Sequence, residues 1–234
     1  VAFPLERLAE GVLDLQNLLH KHGYHEAILF GHALEGNLHF VFTQSFNDPA
    51  EVARYSAFME ELAHLVAVDY GGSLKAEHGT GRNMAPYVEL EWGSEAYALM
   101  KRIKQLFDPA CLLNPDVLIS DNANIHVENL KPLPEANPIV DNCIECGFCE
   151  AVCPSRRLTL SPRQRIAIWR ELQRRRQQGA SAESVRALEQ EWQYQGLDTC
   201  ALDGLCSTRC PVGINTGDLV RDLRGKQNQN LQNR

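Results

Sequence analysis

Seven of the eight cysteines lie between residues 143 and 210, in two groups. The first is Cys143-Ile144-Glu145-Cys146-Gly147-Phe148-Cys149-Glu150-Ala151-Val152-Cys153-Pro154, a C-x2-C-x2-C-x3-C-P run. The second is Cys200-Ala201-Leu202-Asp203-Gly204-Leu205-Cys206-Ser207-Thr208-Arg209-Cys210-Pro211, with a carboxylate where the second thiolate would stand. Such close spacing favours metal binding in a reducing compartment over disulfides. Three thiolates at intervals of three can wrap one iron–sulfur cubane, while the fourth is carried onward to the other cluster. One [4Fe–4S] cluster is therefore predicted on Cys143, Cys146, Cys149 and Cys210. A second cluster is predicted on Cys153, Cys200 and Cys206, with Asp203 as a candidate fourth ligand. That site is left open between an oxygen-capped or labile [4Fe–4S] cluster, a [3Fe–4S] cluster and no cluster. Asp203 could equally be a turn residue before Gly204. Structural zinc prefers paired C-x2-C units, which argues against it here. Cys111 stands apart and reads as a small buried hydrophobe.

A second set lies in the N-terminal half. Gly31-His32-Ala33-Leu34-Glu35-Gly36-Asn37-Leu38-His39 places two imidazoles about a turn, and Glu77-His78-Gly79-Thr80-Gly81-Arg82 adds a carboxylate, a third imidazole and a guanidinium. Two His and a Glu can hold a divalent ion with positions left for a substrate hydroxyl or carboxylate. A neighbouring His could then take a proton near neutral pH. Spacing alone leaves the plain alternative of structural histidines. Seven residues of unbroken strand would put His32 and His39 on opposite faces, so convergence needs the turn at 34–36.

The elements that must position these groups follow from periodicity. Residues 5–22 repeat apolar positions at helical spacing, with Gly23 as a stop. Residues 27–32 suit a buried strand and 38–43 its antiparallel partner. Helices are predicted over about 49–69 and 94–107, the second turning Ala96, Leu99, Met100, Ile103, Leu106 and Phe107 inward; Asp108-Pro109 ends it. Residues 71–76 read as a short strand or extended loop. Residues 119–139 are polar and proline-spaced, a linker or strap. Ser161-Pro162-Arg163-Gln164 opens a helix to about Gln178, a further helix spans about 181–195, and a short one runs from Thr216 to Leu223. The run Arg163, Arg165, Arg170, Arg174, Arg175, Arg176 reads as a solvated face, or as a docking face for an acidic partner.

The composition, 44% hydrophobic and 23% charged over 234 residues, is globular, and the net charge of −7 argues against a nucleic-acid partner. No apolar run is long enough to span a membrane. Val1-Ala2-Phe3-Pro4 carries no signal core and reads as the interior of a longer polypeptide.

The two histidine motifs, followed by Asp108-Pro109-Ala110-Cys111-Leu112-Leu113-Asn114-Pro115, resemble the C-terminal cap domain of FAD-linked oxidases of the vanillyl-alcohol-oxidase type. The likeness covers about residues 5–118 and points to the D-2-hydroxyacid dehydrogenases. The cysteine groups and their helices resemble the two-cluster domain of succinate dehydrogenase and glycolate oxidase iron–sulfur subunits. Together they resemble the large bacterial FAD- and iron–sulfur-containing D-2-hydroxyglutarate dehydrogenases. The implied fold is α+β, an antiparallel sheet with helices on one face, followed by an all-α two-cluster ferredoxin-like domain. The implied divisions are 1–118 cap, 119–139 linker, 140–225 iron–sulfur domain and 226–234 polar tail.

The resemblance implies roles. His32, His39 and Glu77 bind a divalent metal such as zinc. His78 is the catalytic base, and Asn37 and Arg82 position flavin or substrate. Leu34-Glu35, Val41 and Asp116 depart from the family pattern and leave the acid open. Implied partners are a 2-hydroxyacid, an FAD-binding domain of the same polypeptide and an electron acceptor, quinone or carrier protein; homo-oligomerisation is left open. The expected place is the cytoplasm, or the periphery of the inner membrane. The chain has no glycine-rich pyrophosphate loop, so alone it is expected neither to hold FAD nor to turn over. The competing readings are a non-catalytic electron-transfer subunit and a zinc-dependent regulatory module. Convergence of His32, His39, Glu77 and His78 separates the first from the enzyme.

Overall fold

The computed structural model describes residues 1–79, 81–131 and 133–232, with side chains as far as Gln229. Thr80 of the second histidine motif, Pro132 of the proline-spaced segment, and Asn233 and Arg234 of the tail lie outside the described residues. The chain divides into two compact units, Val1–Pro132 and Leu133–Arg234.

In the first unit the apolar repeat folds as α1 (Leu8–Lys21), with Gly23 at a positive φ of 79° just beyond it. Strands β1 (Ile28–His32) and β2 (Asn37–Val41) pair antiparallel, Phe30 opposite His39 and His32 opposite Asn37. Asp48 accepts from the Ala50 N–H and, with Pro49, starts α2 (Pro49–His64), whose last turn widens through Leu65–Asp69. Leu15, Leu19, Phe58, Leu62 and Val66 form the buried centre, and Leu29, Leu38 and Phe40 pack onto it. Side chains alternate across a strand, so the other sheet face carries Phe30, His32 and His39. β1 is consequently not the buried strand expected: Ile28, Phe30 and His32 are exposed.

No pattern in Val1-Ala2-Phe3 points to its role in the fold. Ala2 bridges both Asn37 and Ser73, through Ala2 N–H to Ser73 O (2.7 Å) and Ser73 N–H to Ala2 O (2.9 Å), while Phe3 N–H donates to Gly36 O (2.9 Å). This segment stitches the 73–79 loop to β2. Gly36 has φ 66°, and a Cβ there would lie 2.1 Å from Phe3 O, so no other residue fits.

Helix α3 (Val88–Phe107) starts six residues earlier than expected and is broken at Gly93 (φ 80°, ψ 161°). Its predicted inward face is a correction. Ala96 and Met100 are half-buried, but Leu99, Ile103, Leu106 and Phe107 are exposed, and the buried residues of the helix are Val88 and Tyr97. Tyr97 donates to Ser120 O (3.3 Å), so the 119–131 strap covers a neighbouring stripe instead. That strap is anchored: Ile125 and His126 are buried, and His126 Nε2 lies 3.3 Å from both Ser56 Oγ and Tyr87 OH.

Asp108 stops α3 by folding the chain onto its carboxylate, which accepts from Leu112 N–H (3.0 Å), Leu113 N–H (2.9 Å) and Lys104. Cys111 sits on the outside of that turn, exposed at φ 50°, and is not the buried hydrophobe expected. The Lys104 ammonium, then the two backbone N–H groups, hold the Asp108 carboxyl at about 2. Its folded value is below the unfolded one, near 3.9. The stability it contributes is therefore present above about pH 4 and is lost as pH falls towards about 2. Between wild type and Asp108→Asn, the difference in melting temperature should be constant above pH 4 and shrink below it, as read by circular dichroism; a difference independent of pH would refute this.

In the second unit, Ser161 and Gln164 close a reciprocal capping box at the start of α4 (Pro162–Gln177). Next come α5 (Ala182–Trp192), with a wide turn to Asp198, and α6 (Thr216–Gln232). Val140, Ile166, Leu172, Trp192, Leu197, Leu219 and Val220 make its core. No named strand lies here among the described residues. α6 does not end at Leu223: Arg224, Lys226, Gln227 and Gln229 favour helix, and Lys226 pairs with Asp222 at 2.7 Å.

The arginine run is not a solvated face. Arg165 and Arg170 are buried, Arg163 pairs with Glu150 (2.6 Å), Arg174 and Arg175 pair with Glu171 (2.7 Å each), and Arg176 pairs with Glu189. The acids that pair with it lie three to 25 residues away, within one folded unit.

Candidate metal and iron–sulfur centres

The hairpin turns His32 and His39 to one side, because cross-strand neighbours in a register share a face. Phe30 stacks on His39 at 5.2 Å between ring centres, fixing the imidazole plane. Ala2 holds Ser73 against β2, and Glu77 reaches the same point four residues on. One carboxylate oxygen, Glu77 Oε1, lies 3.1 Å from His39 Nε2, 3.5 Å from His78 Nε2 and 3.6 Å from His32 Nε2. The predicted four side chains therefore converge.

Among the described residues, His32, His39 and Glu77 offer ligand atoms all within 4.8 Å of one another. So close a grouping can converge on one divalent ion, whose bonds to nitrogen and oxygen ligands are about 2.0–2.2 Å, with a small closing movement. His78 is outside this triad and more exposed. A cleft of about 480 Å³ opens beside His39 and His78 and is also lined by Asn37, Lys75 and Met84. Asn37 is buried, and its Oδ1 has no partner among the described residues. Arg82 is exposed, and no bond from it to this group is described. Burial holds the Lys75 ammonium below its usual range, partly offset by Glu91. Lys75 was visible inside the motif but carried no spacing signal of its own.

The cysteines gather in two separate cavities. Cys143, Cys146, Cys149 and Cys210 line one; Cys153, Cys200, Cys206 and Asp203 line the other. These are the crossed sets that the spacing predicts. No three cysteines meet the 4.8 Å spacing among the described residues. A single tetrahedral zinc would need sulfurs about 3.8 Å apart, from Zn–S bonds of about 2.3 Å, so the spread suits a multi-iron cluster. Burial pushes the Cys149 thiol up to about 11, so a bare thiolate is disfavoured there and bound iron would restore it.

The two loops share one backbone. Glu145 and Gly147 have φ 58° and 83°; Leu202 and Gly204 have 56° and 72°. Asp203 therefore occupies the place of Cys146. It is exposed, and its Oδ1 accepts from Leu205 N–H at 3.1 Å, as a turn residue does. Each loop is also closed by an arginine from the helix after it. Arg170 donates to Val140 O, Asp141 O and Cys143 O at 3.0–3.3 Å. Arg224 donates to Leu197 O, Asp198 O and Cys200 O. Both are the ninth residue of their helices, a repeat hidden in sequence by the different spacing between the last cysteine and the helix.

Comparison with known proteins agrees with both sites. Residues 1–118 match the FAD linked oxidases, C-terminal domain, and residues 139–214 match the 4Fe-4S dicluster domain. The glycolate oxidase subunit GlcD of Bacillus subtilis is 36% identical over 98 residues, 42% of this chain and 21% of that protein. The D-2-hydroxyglutarate dehydrogenase of Pantoea ananatis is 28% identical over 267 residues, 92% of this chain and 26% of the relative. That of Escherichia coli is 26% identical, over 91% of this chain and 26% of the relative. The chain thus spans about a quarter of the length of the curated relatives it matches. With the hairpin, the Glu77 loop and the Asp108 turn all inside the matched region, the chain belongs to the FAD linked oxidases through their C-terminal domain, and that domain is joined here to a 4Fe-4S dicluster domain.

Proposed function

We propose that this chain is part of an FAD- and iron–sulfur-dependent D-2-hydroxyacid dehydrogenase, with D-2-hydroxyglutarate oxidised to 2-oxoglutarate. D-Lactate and glycolate are the alternative acids. The observation that carries this is the meeting of three imidazoles on one oxygen of Glu77, beside an open cleft. A docking scaffold would have no need of it. His32, His39 and Glu77 would hold a divalent ion, zinc or a like metal, which supplies Lewis-acid polarisation of the substrate oxygens. His78 is placed to take the hydroxyl proton as hydride leaves C2. Lys75 supplies a cation for the acid's carboxylate, and Asn37 and Arg82 orient substrate or flavin.

FAD, bound by a domain of the same polypeptide outside this chain, supplies the hydride acceptor, and the clusters pass its electrons singly onward. The apolar face of α3 is proposed as that domain's contact. The terminal acceptor is a quinone, with the protein peripheral to the inner membrane, or a carrier protein; among the described residues no helix is long and apolar enough to cross a membrane. Residues 1–118 act as cap, 119–139 as a strap whose first part is anchored on the cap and whose rest is the linker, 140–225 as an all-α two-cluster ferredoxin-like domain and 226–234 as tail.

The test is anaerobic flavin bleaching in the full-length protein with a panel of D- and L-2-hydroxyacids, beside the 234-residue chain alone. Rapid bleaching by D-2-hydroxyglutarate is expected, with no stoichiometric flavin in the isolated chain. Bleaching by none of the acids would refute the reading, and preference for D-lactate or glycolate would move it to the alternatives.

A further inference from the structure

The two cysteine loops are near copies, and one difference between their surroundings is a buried charge without a carboxylate partner. The fourth residue of α4 is Arg165, only 1% exposed; the fourth residue of α6 is Leu219, at 0%. The Arg165 guanidinium donates to Gly196 O (2.7 Å), Ser155 Oγ (2.9 Å), Thr199 Oγ1 (3.3 Å) and Cys153 Sγ (3.8 Å). Ser155 Oγ lies 3.2 Å from the same sulfur. Every one of these partners is neutral except the sulfur, if it is a thiolate. A buried guanidinium without a counter-charge is strongly disfavoured. The neighbouring arginines are different: Arg163 pairs with Glu150 and Arg170 with Glu145. Cys143 and Cys210 of the other set, like Cys200 of this one, pack against the apolar core that includes Leu219, and the arginine lining the other cavity, Arg163, is offset by Glu150.

We propose that Arg165 is the charge partner of the cluster held by Cys153, Cys200 and Cys206, and that it sets this cluster at a higher reduction potential than the one on Cys143, Cys146, Cys149 and Cys210. A cationic donor on a ligand sulfur favours the cluster state with one more electron, and hydrogen bonds to sulfur and net charge are the known levers on cluster potential. Cys153 belongs by sequence to the first loop but lines the second cavity, so the crossed connectivity delivers the charge to the second site. The site whose loop lost a thiolate is thereby the more oxidising of the two. The inference rests on both cavities holding clusters.

The experiment is a potentiometric titration of the full-length holoprotein, followed by electron paramagnetic resonance, with iron and sulfide counted in each sample. The variants are Arg165→Met, which removes the charge, and Arg165→Lys, which keeps it. In Arg165→Met, the higher-potential signal should move down by a tenfold or larger change in its oxidised-to-reduced ratio, about 59 mV for one electron. The lower-potential signal should stay in place, and Arg165→Lys should keep most of the wild-type value. Loss of the second cluster in Arg165→Met with retention in Arg165→Lys also supports the inference. Unmoved potentials, equal movement of both signals, or loss of the cluster in both variants overturns it. A wild-type iron count for one cluster alone would overturn it too, through the cluster reading and not through Arg165. Flavin bleaching by the 2-hydroxyacid, recorded on the same samples, reports separately on the dehydrogenase reading.

Discussion

Exchange of His78 for Gln in the full-length protein is expected to lower kcat by about 10²–10⁴, the usual worth of a positioned general base. Metal content should not change. The geometry separates His78 from its neighbours. His32, His39 and Glu77 offer ligand atoms within 4.8 Å of one another, and His78 stands outside that set with a side chain 68% exposed. It borders the cleft rather than closing it. Exchange of His39 for Ala should behave differently. Its imidazole is the closest to Glu77 and the least exposed of the three, so its loss should release the metal as well as abolish turnover. Metal analysis beside steady-state kinetics distinguishes the two outcomes. If the His78 variant loses its metal, His78 is a ligand; if it keeps activity within threefold, it is not the base.

The second large effect concerns Cys210. By sequence position it closes the second group, yet it lines the cavity of Cys143, Cys146 and Cys149. Cys210→Ser should therefore damage the first cluster and leave the signal of the second. Cys153→Ser should do the reverse, since Cys153 shares its cavity with Cys200 and Cys206. Up to about four iron atoms should be lost from one cluster in each case. Electron paramagnetic resonance of the two variants would show the exchange of signals directly. If Cys210→Ser instead removes the second signal, each loop holds its own cluster and the crossed arrangement is wrong.

Much of the site was legible because its chemistry is written at fixed spacing. The cysteine runs predicted which cysteines gather in each cavity, and the glycine turn at residue 36 predicted that two histidines seven apart could meet. Local rules carried the capping box at Ser161 and the stop at Asp108. Other features depend on what covers a surface, which spacing does not encode. The apolar periodicity of α3 is real, but Leu99, Ile103, Leu106 and Phe107 face outward while Tyr97 takes the inner place. β1 reads as buried by composition, yet only its Leu29 side has a core to meet. Long-range pairing was invisible as well. Nothing in Val1-Ala2-Phe3 announces a segment between β2 and Ser73. The arginine run looked like a solvated face because its carboxylate partners and the Cys153 sulfur are brought to it only by folding.

The paired arginine clamps bear on how such a protein is matured. Three carbonyl oxygens crowd the entrance of each cysteine loop, and unaided they would repel one another. Arg170 draws in those around Cys143, and Arg224 those around Cys200. Both sets of bonds are made within the polypeptide, so part of the shape of each loop entrance comes from hydrogen bonds that do not involve iron. A zinc finger must fold and bind in one event, and its metal affinity is spent on ordering the chain. Here part of that ordering falls to two arginines instead, so less of it has to be drawn from the affinity for iron.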